Sequence, residues 1–155
     1  WLDKEVDEGY WMPVDAAEED SGNWISSSDI VAAARRSKAK HLMVVADSCF
    51  SGTLTRGLSL KTRAPDYLQR IVAKKARTAL TSGGLEPVMD SGGGKHSVFA
   101  QAFLSILEQN KVVLDGHQLF TVLRKRVVIS SEQTPEYGDI RKAGHDGGDF
   151  LFVRQ

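Results

Sequence analysis

The one cysteine of the chain stands in a setting that suits a nucleophile. Cys49 belongs to the hexapeptide Asp47-Ser48-Cys49-Phe50-Ser51-Gly52, which directly follows the apolar run 41–46. That run has the length of a strand and no regular polar alternation, which is typical of a strand buried on both faces. A thiol in the turn after such a strand would be held by a rigid element and still be open to a substrate. The ordinary alternative for a lone cysteine is a small buried hydrophobic residue.

The residues around this thiol are small. Gly52 and the two serines at positions 48 and 51 would let a substrate approach the main chain closely. The main-chain N–H of Cys49 could help to stabilise an oxyanion. The hexapeptide therefore predicts a reactive turn at the carboxyl end of a strand, where ligands of open α/β sheets collect.

Strands and helices alternate around this turn. With 155 residues the chain is long enough for one domain with its own core. The pattern predicts strands at 41–46, 76–81 and 150–153, a loop at 53–64, and helices at about 28–37, 65–73 and 97–109 and after Asp115. This order indicates an α/β layer with a largely parallel sheet.

Composition excludes several classes of function. Lys plus Arg and Asp plus Glu are equal at 20 each, so the charge gives no general attraction to nucleic acid or to a membrane surface. No apolar run approaches the roughly 20 residues that span a bilayer. A single cysteine excludes an internal disulfide and a cysteine-rich zinc site, and the carboxylates lack the spacing of an EF-hand. We therefore expect a cytoplasmic protein with neither nucleic acid nor membrane as a partner.

An apolar strand that ends in Asp-Ser-Cys-x-Ser-Gly resembles the cysteine motif of metacaspases and bacterial caspase-like peptidases, which belong to peptidase family C14 of clan CD. Further stretches are similar to the same family in the expected order. They are Gly9-Tyr10-Trp11-Met12-Pro13-Val14-Asp15-Ala16, Lys75–Gly83, His96-Ser97-Val98-Phe99-Ala100, Gln133-Thr134-Pro135 and Gly148-Asp149-Phe150. The resemblance thus extends over nearly the whole chain.

The resemblance implies a caspase-like three-layer sandwich, with a mostly parallel sheet flanked by helices. Residues 1–155 would form one such domain. Its parts would be the end of a large-subunit-like portion with the nucleophile (1–55), a basic connection (56–75) and a small-subunit-like portion (76–155). In that connection Arg56, Lys61 and Arg63 lie where self-cleavage would separate the two portions, although a solvated loop explains them equally well.

The activity implied is that of a cysteine-type endopeptidase acting on a protein or peptide substrate. Cys49 would attack the scissile carbonyl to form a thioester, and a histidine would protonate the leaving amine. Asp47 occupies the motif position that lines the pocket for the residue before the cut, so cleavage after Arg or Lys is expected. Its alternative is a turn carboxylate that accepts from nearby main-chain N–H groups. No cofactor or metal is expected, and a calcium requirement would follow from the resemblance alone.

The family places its catalytic histidine in a Gly-His-Gly turn just before the segment that Trp1 begins here. We therefore expect a domain incomplete at its amino end, with the missing part of the same protein as its partner. The four histidines present are poor substitutes, and His96 is the least unfavourable of them: His41, His96, His117 and His145. The alternatives are an inactive caspase-like interaction or signalling module and another cysteine hydrolase of α/β type.

Overall fold

The structure is a computed structural model that describes residues 1–6, 8–17, 20–48, 55–57 (as backbone), 66–83 and 96–154. Within these residues the chain is mixed α/β, with four α-helices and three small sheets. The helices are α1 (Ser27–Arg36), α2 (Tyr67–Ala73), α3 (Val98–Gln109) and α4 (Gly116–Ser130). The strands are β1 (Leu2–Asp3), β2 (Glu8–Trp11), β3 (Ile25–Ser26), β4 (His41–Ala46), β5 (Thr55–Gly57), β6 (Ala76–Thr81), β7 (Leu114–Asp115), β8 (Glu136–Ile140) and β9 (Leu151–Phe152).

Strands β4 and β6 form a parallel pair that is in register over its full length. His41 pairs with Ala76 at one end and Ala46 with Thr81 at the other. One further main-chain bond, from Ser82 N to the Ala46 carbonyl at 3.0 Å, extends the ladder beyond the carboxyl end. The two predicted strands 41–46 and 76–81 are confirmed, and their carboxyl ends lie side by side. The expectation that 41–46 is buried on both faces is wrong, because β4 is an edge strand of the described sheet and is mostly half-buried.

The expectation of a mostly parallel sheet is wrong. The four-stranded sheet has the order β4-β6-β8-β5, and both β6–β8 and β8–β5 are antiparallel. A single crossover helix would return the chain to the start of β6, from which a parallel strand could run. Here α3 and α4 follow one another, so the second helix carries the chain back to the carboxyl end of β6. From that end β8 can only run in the opposite direction.

Part of the segment predicted as a loop is an edge strand. The backbone of β5 pairs antiparallel with β8, with Thr55 opposite Ile140 and Gly57 opposite Gly138. Arg56, one of the three basic residues considered for self-cleavage, is therefore in a strand, whereas Lys61 and Arg63 lie outside the described residues. A protease requires an extended segment detached from its sheet, so Arg56 is a poor cleavage site while β5 remains paired.

Helices pack on both faces of this sheet because side chains alternate along each strand. On one face, Leu80 packs with core residues of α3 and α4. On the other face, Ala79 packs with Ala34 of α1 and with Ile140. The two neighbours on β6 thus belong to separate clusters, and β6 is buried throughout.

The helix starts follow from side-chain caps. Asp115 accepts from Gln118 N at the start of α4, in agreement with the helix predicted after it. Ser97, expected as the first helical residue, is instead the cap of α3 and accepts from Ala100 N. For α1 the sequence places the start of the helix at Ser28, with Ser28-Asp29 as its cap, and this cap is wrong: Ser26 is the cap and forms a capping box with Asp29. The predicted last strand is confirmed only as β9, which pairs with β7 rather than with the main sheet.

A fully buried arginine fixes the connection from α1 to β4. The five N–H groups of Arg77, at the start of β6, all donate to main-chain carbonyls. The acceptors are Ala34 (2.8 Å), Ser37 (2.9 Å), Ala39 (2.7 Å), Lys40 (3.2 Å) and Ala76 (2.7 Å). Since carbonyls at a helix end carry partial negative charge, the guanidinium is compensated without a carboxylate. Arg77 thereby sets how the chain enters β4.

The variant Arg77→Lys is expected to lower the free energy of unfolding by about 2 kcal/mol or more. An ammonium has three donors, so at least two of the five carbonyls lose their partner, at about 1 kcal/mol or more each. Urea unfolding measures the change. Arg70→Lys is the matched control, because its pair with Asp66 is exposed and contributes less than about 1 kcal/mol. Equal stabilities of the two variants would contradict the role of Arg77.

None of the helices in the described part of the chain is long and apolar enough to cross a membrane.

Candidate functional site

The carboxyl ends of β4 and β6 bring the sequence-predicted residue Asp47 next to Ser82. Asp47 follows Ala46 and Ser82 follows Thr81, and Ala46 and Thr81 are the last paired residues of the two strands. Alternation places Ser82 on the face of Leu80, where α3 packs. The Asp47 side chain is exposed, whereas Ser82 is fully buried. The edge thus presents an accessible carboxylate above a buried hydroxyl.

A contact from the start of α3 holds the Asp47 carboxylate. The Ser97 hydroxyl donates a short hydrogen bond to Asp47 Oδ2 and accepts one from Ala100 N at 2.9 Å. The alternative that Asp47 serves only nearby turn N–H groups does not account for this contact, which spans 50 residues of sequence. A carboxylate at the amino end of a helix is also favoured by the helix dipole. Asp47 is therefore fixed in place yet open to solvent.

The residue immediately before Cys49 is also anchored. The indole Nε1 of Trp11, on β2, donates to Ser48 Oγ at 2.6 Å. Trp11 packs in turn against the cluster around Ala34 and Ile140. The contact links the three-stranded sheet β1-β2-β3 to the carboxyl edge of the main sheet, so it restrains Ser48, the last described residue before Cys49.

The variant Trp11→Phe is expected to raise the rate at which iodoacetamide alkylates Cys49 about fivefold, because Ser48, next to that thiol in sequence, loses its anchor. Phenylalanine keeps the packing but removes the N–H, a bond worth about 1 kcal/mol. Alkylation followed by mass spectrometry measures the rate. Trp24→Phe is the control, since that indole donates to the Ala17 carbonyl at 3.1 Å, away from the edge. A similar change in both variants would rule out a specific role for Trp11.

Three polar side chains near this end of the sheet, with Ser82 among them, are buried and have no hydrogen-bond partner among the described residues. They are Thr81, Ser82 and Gln133, all less than 3% exposed. Unpartnered buried groups of this kind cost about 1–3 kcal/mol each. Register places Ser82 and the segment before β8 side by side, because Thr81 pairs with Glu136. The polar character of the edge therefore extends inward from Asp47.

Of the four histidines, His96 is the one beside this edge. It is exposed and directly precedes Ser97. His41 directs Nε2 to the carbonyls of Val72 and Lys74, at 3.2 and 3.1 Å. His145 Nδ1 accepts from Arg77 N at 3.2 Å, at the opposite end of β6. Both rings therefore have structural partners away from Asp47.

The fourth histidine, His117, belongs to a separate buried cluster at the amino end of α4. Its main-chain N–H and its Nδ1 lie 3.2 and 3.9 Å from Asp149 Oδ2, and the Tyr137 hydroxyl donates to Asp149 Oδ1. Burial raises the pKa of the Asp149 carboxyl, an effect partly offset by the donors from Tyr137, Phe150 and His117. These contacts hold the segment around Asp149 against the start of α4. A side chain at Gly116 would collide with the Tyr137 hydroxyl and the Asp149 carboxylate.

The predicted nucleophile Cys49, with Phe50 and residues 51–54 after it, lies outside the described residues. Within them, no group of three or more His, Cys, Asp or Glu side chains is placed to hold a metal ion. Sequence reasoning identified Asp47 but missed its contact with Ser97 and that of Trp11 with Ser48. Ser97 carried one usable signal, its position as a helix cap before an apolar helix.

No protein-family model, curated protein or solved structure gives a significant match to this chain.

Proposed function

We propose that the chain is the nucleophile-bearing domain of a cysteine endopeptidase that cleaves after arginine or lysine. The observation that carries the proposal is the exposed Asp47 carboxylate, which accepts a hydrogen bond from Ser97. Asp47 stands two residues before the single cysteine in the sequence. The fixed Asp47 carboxylate would recognise a cationic side chain of the substrate. The Cys49 thiol, two residues later in the sequence, would attack the peptide bond that follows that side chain. The resemblance of the hexapeptide to the metacaspase motif agrees with this pairing.

In the proposed reaction the Cys49 thiolate attacks the carbonyl carbon of the scissile bond. A carbon–sulfur bond forms, the carbon–nitrogen bond breaks, and a histidine gives its proton to the leaving amine. Water then hydrolyses the thioester and returns the thiol. Among the described histidines, His96 is the candidate for this role, because it directly precedes Ser97 at the carboxyl edge.

Asp47 would bind the side chain of the residue before the cut. A carboxylate has about four acceptor positions, and the Ser97 hydroxyl occupies one of them on Oδ2. The remaining positions suit two parallel N–H groups of a guanidinium, the strongest pairing available to a carboxylate. Arginine is therefore preferred over lysine, and an acidic residue at this position would be repelled.

The finer architecture proposed is the caspase-like three-layer sandwich, with the chain as one domain divided near residues 55 and 75. Helices on both faces of the main sheet support it, as does the parallel pair β4–β6 that carries the edge. The antiparallel strands β8 and β5 depart from the mostly parallel sheet that the resemblance implies, so the proposal covers the layered arrangement and not the strand directions.

A panel of fluorogenic peptides that end in Arg, Lys, citrulline or Asp tests the function on the full-length protein. We expect turnover in the order Arg, Lys, citrulline, with none after Asp, and complete loss after iodoacetamide treatment. Turnover after Asp, or turnover that survives alkylation, would contradict the proposal.

The second candidate is an inactive caspase-like module that recruits partners. It is favoured by the structural engagement of His41 and His145, since neither ring is free to serve the thiol at the carboxyl edge. No turnover of any peptide by the full-length protein, together with ordinary thiol reactivity of Cys49, would favour this module over the protease.

A further inference from the structure

We propose that Ser97 is a positioning residue for substrate recognition, because it orients the Asp47 carboxylate toward the basic residue before the cut. The inference rests on the proposed function and deepens it. It assigns to the first turn of α3 a part in specificity, separate from its part in stabilising the helix.

The Ser97 hydroxyl has a single proton, and that proton goes to Asp47 Oδ2. Its oxygen accepts from Ala100 N at 2.9 Å, which is the helix-capping bond of α3. The two bonds together leave the hydroxyl one orientation. Ser97 therefore holds the Asp47 carboxylate at a fixed position relative to the backbone of α3.

The helix behind Ser97 is a rigid support. Phe99, Ala102 and Ile106 of α3 are buried in the cluster that contains Leu80 of β6. Asp47, in contrast, is an exposed side chain beyond the end of β4. Fixing such a side chain in the folded protein removes an entropic cost from substrate binding, which corresponds to a factor of roughly 2 to 10 in affinity. The contact thus pre-organises the carboxylate for a planar guanidinium.

Three substitutions separate this role from helix capping. Ser97→Thr keeps both the capping acceptor and the donor to Asp47. Ser97→Gly loses the donor but costs the helix only a few tenths of a kcal/mol, since glycine is tolerated at this position. Ser97→Ala loses the donor and also about 1 kcal/mol of helix stability. Each variant is compared in thermal unfolding and in the ratio of kcat/KM for arginine-ended over citrulline-ended peptides.

We expect that ratio to fall about fivefold in both Ser97→Gly and Ser97→Ala and to stay at the wild-type value in Ser97→Thr. Only Ser97→Ala should unfold at a clearly lower temperature. The inference is overturned if Ser97→Gly keeps the wild-type ratio, because the loss would then follow helix stability. It is also overturned if Ser97→Thr loses the ratio.

A binding measurement separates failure of this inference from failure of the proposed function. In a Cys49→Ala background, the dissociation constant for an uncleaved arginine-ended peptide should rise about fivefold on adding Ser97→Gly. An unchanged constant overturns the role of Ser97 alone. Absence of arginine-peptide turnover by the wild-type protein would instead reject the proposed protease.

Discussion

The variant Cys49→Ala is expected to abolish hydrolysis of arginine-ended peptides, with a loss of kcat of at least about 10⁴-fold. Removal of a catalytic nucleophile leaves only binding and oxyanion stabilisation, which supply a small share of the rate enhancement. Because Cys49 is the one cysteine of the chain, no neighbouring thiol within it can take its place. Steady-state turnover of the fluorogenic arginine peptide by the full-length protein measures the loss.

Two controls show that the loss is chemical. The thermal unfolding midpoint of Cys49→Ala should match that of the wild type, since alanine is smaller than cysteine and adds no bulk. Ser48→Ala, which removes the acceptor of the Trp11 indole next to the thiol, should keep measurable turnover. Unchanged activity in Cys49→Ala would reject Cys49 as the nucleophile, and with it every cysteine-hydrolase reading of the chain.

The elements with strong local signals were predictable from the sequence. The apolar run 41–46 and the buried run 76–81 gave the parallel pair, and the spacing of Leu119, Leu123 and Val127 gave the inner face of α4. In each case one sequence segment contains the whole pattern. The same holds for the caps at Ser97 and Asp115, whose partners lie three residues away.

The antiparallel half of the sheet was not predictable in this way. Strand β8 reads Glu-Tyr-Gly-Asp-Ile, with a glycine at Gly138 and an acid at Asp139, both unfavourable to strands in isolation. It is held by neighbours on both sides, β6 and β5, and therefore by tertiary pairing. Strand β5 reads Thr-Arg-Gly and contains no apolar side chain of its own. Its pairing with β8 depends on residues about 80 positions away in the chain.

The candidate site also combines a residue with a local sequence signal and contacts that come from distant parts of the chain. Asp47 could be identified because it stands two residues before Cys49 in a motif. The hydroxyl that fixes it comes from Ser97, and the indole that anchors Ser48 comes from Trp11, 37 residues earlier. Both contacts depend on how α3 and β2 approach the end of β4. No local pattern contains that approach, so Asp47 could be proposed from the sequence, whereas its contacts could not.

The variant Asp47→Asn is expected to lower kcat/KM for arginine-ended peptides by roughly 10²–10³-fold, with little effect on the citrulline-ended peptide. Asparagine has nearly the same shape and still accepts the Ser97 hydroxyl on its amide oxygen. It lacks the charge, however, and it replaces one acceptor oxygen by an NH₂ donor that opposes the guanidinium. Loss of two charge-assisted hydrogen bonds of about 1.5–3 kcal/mol each, partly compensated by water, accounts for this magnitude.

Steady-state kinetics on the arginine, lysine and citrulline peptides show where the substitution acts. Loss of a pocket residue changes the ratios of kcat/KM between the peptides, whereas a general disturbance of the site lowers all three values alike. Asp66→Asn is the matched control: Asp66 is an exposed carboxylate in an ion pair with Arg70, at the start of α2. Retention of the full arginine preference in Asp47→Asn would remove Asp47 from the pocket. Ser97 is proposed to act only through the Asp47 carboxylate. In the Asp47→Asn background, Ser97→Gly should therefore have no further effect on the ratio of kcat/KM for arginine-ended over citrulline-ended peptides.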